Sequence, residues 1–318
     1  IKFGSLRGSI GHLILNTLRF FLEKKKIKKL IIISTPKKDI SNHYVYKILR
    51  EKFTNKNIIF VNSKILNLIY KLFNKLRKYK FFSNLICNIE WLHHENANEA
   101  YGSKYNFDEN FYHLVPNFDI ADKEIEFFLN WKNKNKLKKK YVCISSRDPG
   151  FYNEKIQNPR NFSFKDYDIL IKMLLSKGYS VIRMGRKYKD SYDFKDHNYI
   201  ELYNIEKENK NLDQIETLLF KYCEFIVSGN SGIDAFAALF KKKIFIVNNF
   251  PAGRKPRYLN CTYIPQIYTQ NKNLLKFKDI PKKILLSEEV ENLKYHNINL
   301  LKASSTDILQ MVKENIES

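Results

Sequence analysis

Apolar residues recur along this chain with two periods. Short continuous runs bounded by polar residues read as buried strands: "KKLIIIST" (28–35), "NIIFVNS" (57–63), "KYVCISS" (140–146), "SVIRMG" (180–185), "EFIVSG" (224–229) and "KIFIVNN" (243–249). Between them the spacing turns helical. In "SFKDYDILIKMLLSKG", Phe164, Tyr167, Leu170, Ile171 and Leu174 share one face, and Gly178 follows as a C-terminal stop. In "LDQIETLLFKYC", Leu212, Ile215, Leu218, Leu219 and Tyr222 do the same. Near the start, "IGHLILN" opens a helix whose apolar face includes Ile14, Leu18 and Phe21, and Ile308–Val312 falls in a last helical pattern. Strands alternating with helices in this way predict an α/β chain with parallel, doubly wound, Rossmann-like sheets. The polar run "NWKNKNKLKKK" (130–140) predicts a break, with residues 1–135 and 136–318 as two domains and the last helix packing back across the link. Two such domains leave a cleft between the carboxyl ends of their sheets, where open α/β folds place ligands.

The corner "SGNSG" (Ser228, Gly229, Asn230, Ser231, Gly232) lies between an apolar strand and a helix that starts near Ile233. Helix-start N–H groups lack internal partners and favour an anion. Two glycines permit close approach, and Ser228, Asn230 and Ser231 add donors, so the corner reads either as a pyrophosphate cradle or as a turn capped by Ser231. A second strand ends in Ser145, Ser146, Arg147 and Asp148 before Pro149 and Gly150. Arg147 at a strand's carboxyl end is either a bidentate phosphate fork or half of a surface pair with Asp148. Arg183 interrupts the strand before Gly185, Arg186 and Lys187, and needs either an anionic ligand or a core carboxylate. Gly4, Gly8 and Gly11 surround Arg7, and His12 is either a general base for an acceptor hydroxyl or a polar helix-start residue.

Composition changes this picture only in part. Hydrophobic residues make up 44% and aromatics 14% of 318 residues, enough to bury two cores. The formal net charge is +23, from 56 Lys and Arg against 33 Asp and Glu. The positives are mostly lysines spread along the chain. Ordered base readout leans on arginine, so nucleic acid is not the expected partner, and loose contact with an anionic membrane face fits better. No apolar run approaches the ~18 residues of a spanning helix. Cys87, Cys143, Cys223 and Cys261 form no C-x-x-C pair. Cys143 and Cys223 read as core residues of a protein in a reducing compartment. In "DYD" (166–168) the carboxylates diverge on a helix, and Glu90, His93, His94 and Glu95 do not converge on a metal. No G-x-S-x-G, G-x-x-x-x-G-K-[ST] or G-x-G-x-x-G occurs, which removes the serine hydrolase, P-loop and dinucleotide-binding readings.

The segments "GSIGHLILN", "YVCISSRDPGFYN", "PRNFSFKDYDILIKMLLSKGYSVIRMG", "CEFIVSGNSGIDAFAALFKKKIFIVNN" and "SSTDILQMVKE" occur in an order that resembles a family of bacterial glycosyltransferases associated with surface polysaccharide gene clusters. The family pattern has an I-G-H-L segment, an H-x-R-D strand end, an R-N pair, an R-M-G strand end and an S-S-G helix start. More distantly, the H-x-R strand end resembles fucosyltransferases of the GT-B fold, where that arginine contacts the nucleotide diphosphate. Gly11 and His12 match I-G-H-L, Arg147 and Asp148 the R-D, and Arg160 and Asn161 the R-N pair. Arg183 to Gly185 match R-M-G, and Ser231 and Gly232 the S-G. Ser145 replaces the family histidine, and Asn230 the first serine of S-S-G.

The resemblance implies a GT-B-like, metal-independent glycosyltransferase without a cofactor. Its residues 136–318 would bind a nucleotide-sugar donor, and residues 1–135 a glycan or lipid-linked acceptor. It would work in the cytoplasm, peripheral to the inner membrane face. A sugar-nucleotide epimerase or hydrolase on the same architecture, or a basic polyanion-binding protein without catalysis, is the alternative.

Overall fold

The structure, a computed structural model, describes residues 2–5, 9–23, 31–34, 40–54, 58–61, 65, 68, 72, 113–148, 158–186, 188, 192–207, 209–254, 256, 258, 260–287 and 289–317. Arg7, Gly8, Cys87, Glu90, His93, His94, Glu95, Pro149, Gly150 and Lys187 lie outside the described residues. The chain divides into two compact units, Ile1–Asp119 and Ile120–Ser318.

The first unit carries a parallel sheet of β1 (Lys2–Ser5), β2 (Ile31–Ser34) and β3 (Ile58–Val61), in that order. Phe3 is in register with Ile32, and Ile32 with Ile59. Helices α1 (Ile10–Glu23) and α2 (His43–Phe53) pack together, with Leu13, Ile14 and Leu18 of α1 and Val45, Ile48 and Leu49 of α2 buried. Asn42 starts α2 by accepting a 2.8 Å hydrogen bond from the Val45 N–H, the cap such a side chain favours.

The second unit begins with α3 (Asp122–Lys134), the helix that enters the polar run. That run does not end a domain. Phe128 stacks on Tyr222 at 5.6 Å, and the Trp131 indole donates to Glu206 at 2.7 Å, which fastens α3 to the unit that follows it. The strands are β4 (Tyr141–Ser145), β5 (Ser180–Arg183), β6 (Tyr199–Glu201), β7 (Phe225–Ser228), β8 (Lys243–Asn249) and β9 (Cys261–Pro265). They form one parallel sheet in the order β6-β5-β4-β7-β8-β9. Counted within the unit this is 3-2-1-4-5-6, the doubly wound order that reverses direction between its first and fourth strands.

Alternation along the strands sends neighbouring side chains to opposite faces. Val142, Ile144, Val181, Phe225, Val227, Phe245 and Val247 join one core with α4 (Asp168–Ser176) and α10 (Ser305–Ile316). Phe164, Tyr167, Leu170, Ile171 and Leu174, the face drawn from periodicity, are all buried there, and Gly178 takes the left-handed backbone (φ +84°) expected of a helix stop. Helix α10 was expected to cross the link. It packs on α4 through Ile308, Met311 and Val312, inside the second unit's own core. On the other face, the Tyr141 hydroxyl donates to the Leu219 carbonyl of α6 (Leu212–Tyr222) at 3.0 Å, and Phe220 stacks on Phe236 of α7 (Ala235–Phe240) at 4.3 Å. Cys143 and Cys223 are buried on this side as free thiols. The short α5 (Leu202–Glu206) follows β6.

A small antiparallel sheet precedes α10: β10 (Ile267–Gln270), β11 (Asn273–Leu274) and β12 (Ile298–Leu301), in the order β11-β10-β12. It shares a separate core with α8 (Lys282–Leu286) and α9 (Val290–Tyr295), built from Phe250, Tyr268, Ile280, Ile284, Leu293 and Ile298. Sequence periodicity did not foresee this subdomain. Among the described residues no helix is long and apolar enough to cross a membrane.

Candidate functional site

Open α/β sheets bind ligands outside the carboxyl ends of their strands, where the strand order reverses. In the second unit that point lies between β4 and β7. The last residues of the two strands, Ser145 and Ser228, are in register, and the Ser145 hydroxyl donates to Ser228 Oγ at 3.1 Å. Both are fully buried, at 1% and 0% exposure. The Tyr167 hydroxyl donates to the Ser145 carbonyl at 3.1 Å and fixes the end of β4.

Past β7 the chain turns through Gly229–Ser231, runs through a single 3₁₀ turn (Gly232–Asp234) and enters α7. The organising group is Asp234. Its Oδ1 accepts from the Ser228 hydroxyl, and its Oδ2 accepts from the Ser231 N–H at 3.0 Å, closing a capping box with Ser231. Ser231 Oγ lies 3.5 Å from Ser228 Oγ. Burial disfavours the ionised carboxyl, so the pKa of Asp234 is pushed up to about 7, while the hydrogen bonds from Ser228 and Ser231 and the charge of Arg160 hold it down.

Arg160 reaches this corner because the 158–162 segment lies over it. The Gln266 amide donates to the Pro159 carbonyl at 2.6 Å, and the Arg160 N–H bonds to Asn158 Oδ1 at 3.0 Å. The Asn161 N–H bonds to the Asn158 carbonyl at 2.9 Å, leaving Asn161 half-buried. The Phe162 ring then packs against Gly229, where a Cβ would fall 2.1 Å from Phe162 Cε1. Gly229 thus makes room for a ring, a use that differs from the ligand approach read from its sequence. Asn230 adopts the left-handed conformation (φ 53°) that asparagine tolerates. Its amide donates to Asn249 Oδ1 at 3.1 Å and to the Phe250 carbonyl at 2.8 Å, pinning the corner to the end of β8.

Arg147 and Asp148 follow β4 by two and three residues and are 7% and 8% exposed, so the pair is not a surface pair. Arg183 is placed differently from the expectation of a donor contact. It is 1% exposed, pairs with Glu201 at 2.8 Å, and lies between the Phe164 and Tyr188 rings at 4.2 and 3.9 Å. The Tyr199 hydroxyl supports Glu201 at 3.0 Å. A buried guanidinium needs such an enclosure, and this one occupies its charge with the protein's own carboxylate and rings. Gly185 (φ +113°) turns the chain beside it. Arg186 is held by Asp213 and Glu216 at 2.6 and 2.7 Å. Asp168 of the D-x-D pattern pairs with Lys172 at 2.6 Å and accepts from the Tyr192 hydroxyl at 3.0 Å.

The structure therefore brings Ser145, Ser228, Gly229, Asn230, Ser231, Gly232 and Arg160 to one corner, with Arg147 and Asp148 on the adjoining strand end. Gly11 and His12 lie in the first turn of α1, in the other unit, and are half-buried.

The chain is similar in fold to Escherichia coli ADP-heptose LPS heptosyltransferase II. The match covers 100% of both chains with a TM-score of 0.54 at 13% sequence identity. A glycosyl transferase of family 9 from Veillonella parvula matches over 97% of each chain at 8% identity, with a TM-score of 0.49. No family model matches the sequence, and no curated protein does. The α/β class expected from the strand pattern is the observed one, and it is of GT-B type.

Sequence reasoning passed over Asp234, Phe162, Asn249 and Gln266. A signal for Asp234 was present. Ser231 followed three residues later by an acid is a capping-box pattern, and here it places a carboxyl beneath the corner. The others act across 19 to 107 residues of chain and leave no local mark.

Proposed function

We propose that the protein is a glycosyltransferase that binds a nucleotide-sugar at the β4/β7 switch point and passes the sugar to a glycan or glycolipid acceptor in surface polysaccharide synthesis. The observation that carries this reading is the hydrogen-bonded corner itself. The ends of β4 and β7 meet at the strand-order reversal, with Arg147 just past one and a small-residue turn past the other. The likeness to a heptosyltransferase named for ADP-heptose supports a nucleoside diphosphate sugar as the donor class.

In this mechanism Arg147 and Arg160 hold the donor's diphosphate over the turn of Ser228–Gly232. Negative charge grows on the diphosphate as the glycosidic bond breaks. Fixed cations and N–H groups then stabilise the transition state more than the ground state, and this electrostatic role requires no metal. Asp234 holds Ser228 and Ser231 in place, and its raised pKa allows it to be neutral beneath an anion. Ser145, in place of a strand-end histidine, orients Ser228. His12 is the proposed general base for the acceptor hydroxyl, with Gly11 beside it. Arg183 keeps Glu201 and the aromatic box in order and has no part in donor contact. The reaction proposed is a cytoplasmic one, at or near the inner face of the membrane.

The test is product analysis with nucleotide-sugars, with and without added glycan acceptors. Sugar transferred only when acceptor is present supports the proposal. Epimerised or hydrolysed nucleotide-sugar without any acceptor requirement refutes it in favour of an epimerase or hydrolase.

A further inference from the structure

The β10–β12 sheet has one face in a core and one face outside it. Cross-strand register sorts its side chains between the two. Tyr268 stands opposite Leu300 and Gln270 opposite Ile298, and Tyr268, Ile298 and Leu300 join the core with α8 and α9. Ile267 stands opposite Leu301, and Thr269 opposite both Asn299 and Leu274, so these residues share the other face. Thr269, small and in the middle strand, is buried there. The apolar side chains around it are not: Ile267, Leu301 and Leu274 are 40%, 48% and 70% exposed. Single exposed apolar residues need no explanation, but three on one face of a three-stranded sheet do. Lysines edge that face. Asn271 and Lys272 both take the left-handed backbone (φ 51° and 68°) of a tight two-residue turn between β10 and β11, which sets Lys272 at the hairpin tip. Lys276 follows Leu274 by two residues and Lys302 follows Leu301 directly, and all three lysines are exposed. No carboxylate stands on these strands or in the turn. The chain's longest stretch without an acidic residue, 235–278, contains β10, the turn and β11, and another, 292–306, contains β12.

We infer that this outer face is a membrane-docking surface, laid against an anionic phospholipid bilayer. Ile267, Leu274 and Leu301 enter the headgroup–acyl boundary, and Lys272, Lys276 and Lys302 meet lipid phosphates. Interfacial binding grows with the apolar area buried and with attraction to anionic lipid, and this face offers both together. The lysine stems lie along apolar surface while their charged heads stay in the polar layer. The sheet is braced from behind by the core of Tyr268, Ile280, Ile284, Leu293 and Ile298, so the surface is formed before it meets lipid. Charge decides between this occupant and a second copy of the chain. A two-fold interface over the face would bring the three lysines against their own copies, and the strands and turn hold no acid to pair them. Lipid phosphates supply the negative charge that a second copy lacks there. The inference does not depend on the donor site and stands or falls separately from it.

The experiment is co-sedimentation of the full chain with vesicles of phosphatidylcholine alone and of phosphatidylcholine with one third phosphatidylglycerol. Wild type is expected on the anionic vesicles and not on the neutral ones. The triple variant Ile267→Ser, Leu274→Ser, Leu301→Ser, checked by thermal melting, should lose on the order of 100-fold in partitioning. The variant Lys272→Gln, Lys276→Gln, Lys302→Gln leaves the sheet's apolar residues in place and should lose a similar factor, about fivefold per lysine. A Leu274→Trp variant, at the most exposed of the three apolar positions, gives an independent readout, its added emission shifting to the blue on anionic vesicles. The inference is overturned if wild type ignores anionic vesicles, or if either the folded serine variant or the glutamine variant binds as well as wild type. It is also overturned if the Leu274→Trp emission does not move, or if the face proves to hold a dimer that the serine variant dissociates.

Discussion

Asp234 is the group whose replacement reports most about the corner. The perturbation is Asp234→Asn, which keeps an acceptor for the Ser231 N–H and turns an amide toward Ser228 Oγ, as the protonated acid does. Burial raises the carboxyl from 3.8 to about 7. At about 1.4 kcal/mol per pKa unit, that is about 4 kcal/mol of stability tied to one proton. The sign follows from which state holds the proton. Below about pH 4 both states are protonated and nothing is lost. As pH rises from about 4 to about 7 the unfolded chain ionises while the folded chain keeps its proton, so stability falls, and above about pH 7 the loss is complete. Asparagine carries no such dependence. Urea unfolding of both proteins should therefore show the variant gaining about 3 kcal/mol on wild type between about pH 5 and pH 8. The same proton should couple to the donor. A nucleotide-sugar, whose diphosphate does not titrate in this range, should bind wild type more weakly as pH rises through about 7, and bind the variant evenly. Parallel stability profiles for the two proteins would refute the buried-acid account.

Three further outcomes follow from the packing. Gly229→Ala puts a methyl 2.1 Å from Phe162 Cε1 and should lower stability by about 1–3 kcal/mol in thermal melts, with Phe162→Leu in the same chain recovering part of it. Arg183→Met strands Glu201 and should cost about 3–5 kcal/mol. Adding Glu201→Gln should restore much of that, and nucleotide binding by the folded double variant should match wild type. Gly185→Ala, at φ +113°, should cost about 1–3 kcal/mol by the same melts while leaving the sheet's far-ultraviolet signal unchanged.

The parts of the fold legible in the sequence are those whose burial is continuous or evenly periodic. Strands β4, β5, β7 and β8 are buried on both faces and show as unbroken apolar runs, and α4 shows because five residues of one face meet a single core. Strand β6 is three residues long, and β9 is half-buried throughout, so neither forms a run. The β10–β12 sheet buries only short stretches, Tyr268 with Thr269 on β10 and Ile298 on β12, too sparse a pattern to read. The polar run at 130–140 looked like a link because its surface is charged. Its helix is held from within by Phe128 and Trp131, whose partners lie 75 residues or more ahead. At the site, Ser145, Ser228 and Ser231 were legible because strand ends and small residues mark a corner. The use of Gly229 was not, since the ring it accommodates comes from 67 positions earlier in the chain. For Arg183 the core-carboxylate alternative is the one whose geometry appears, because Glu201 stands in register with it on β6.

The most direct test of a donor site at the β4/β7 corner is thermal unfolding against a panel of nucleoside diphosphates and nucleotide-sugars, for wild type and Arg147→Ala. A ligand at ~100 times its dissociation constant adds about 2.7 kcal/mol to the folded state. The account predicts a stabilising shift with one nucleotide family, abolished in Arg147→Ala. No shift with any of them in a folded sample, or an equal shift in both proteins, would contradict it.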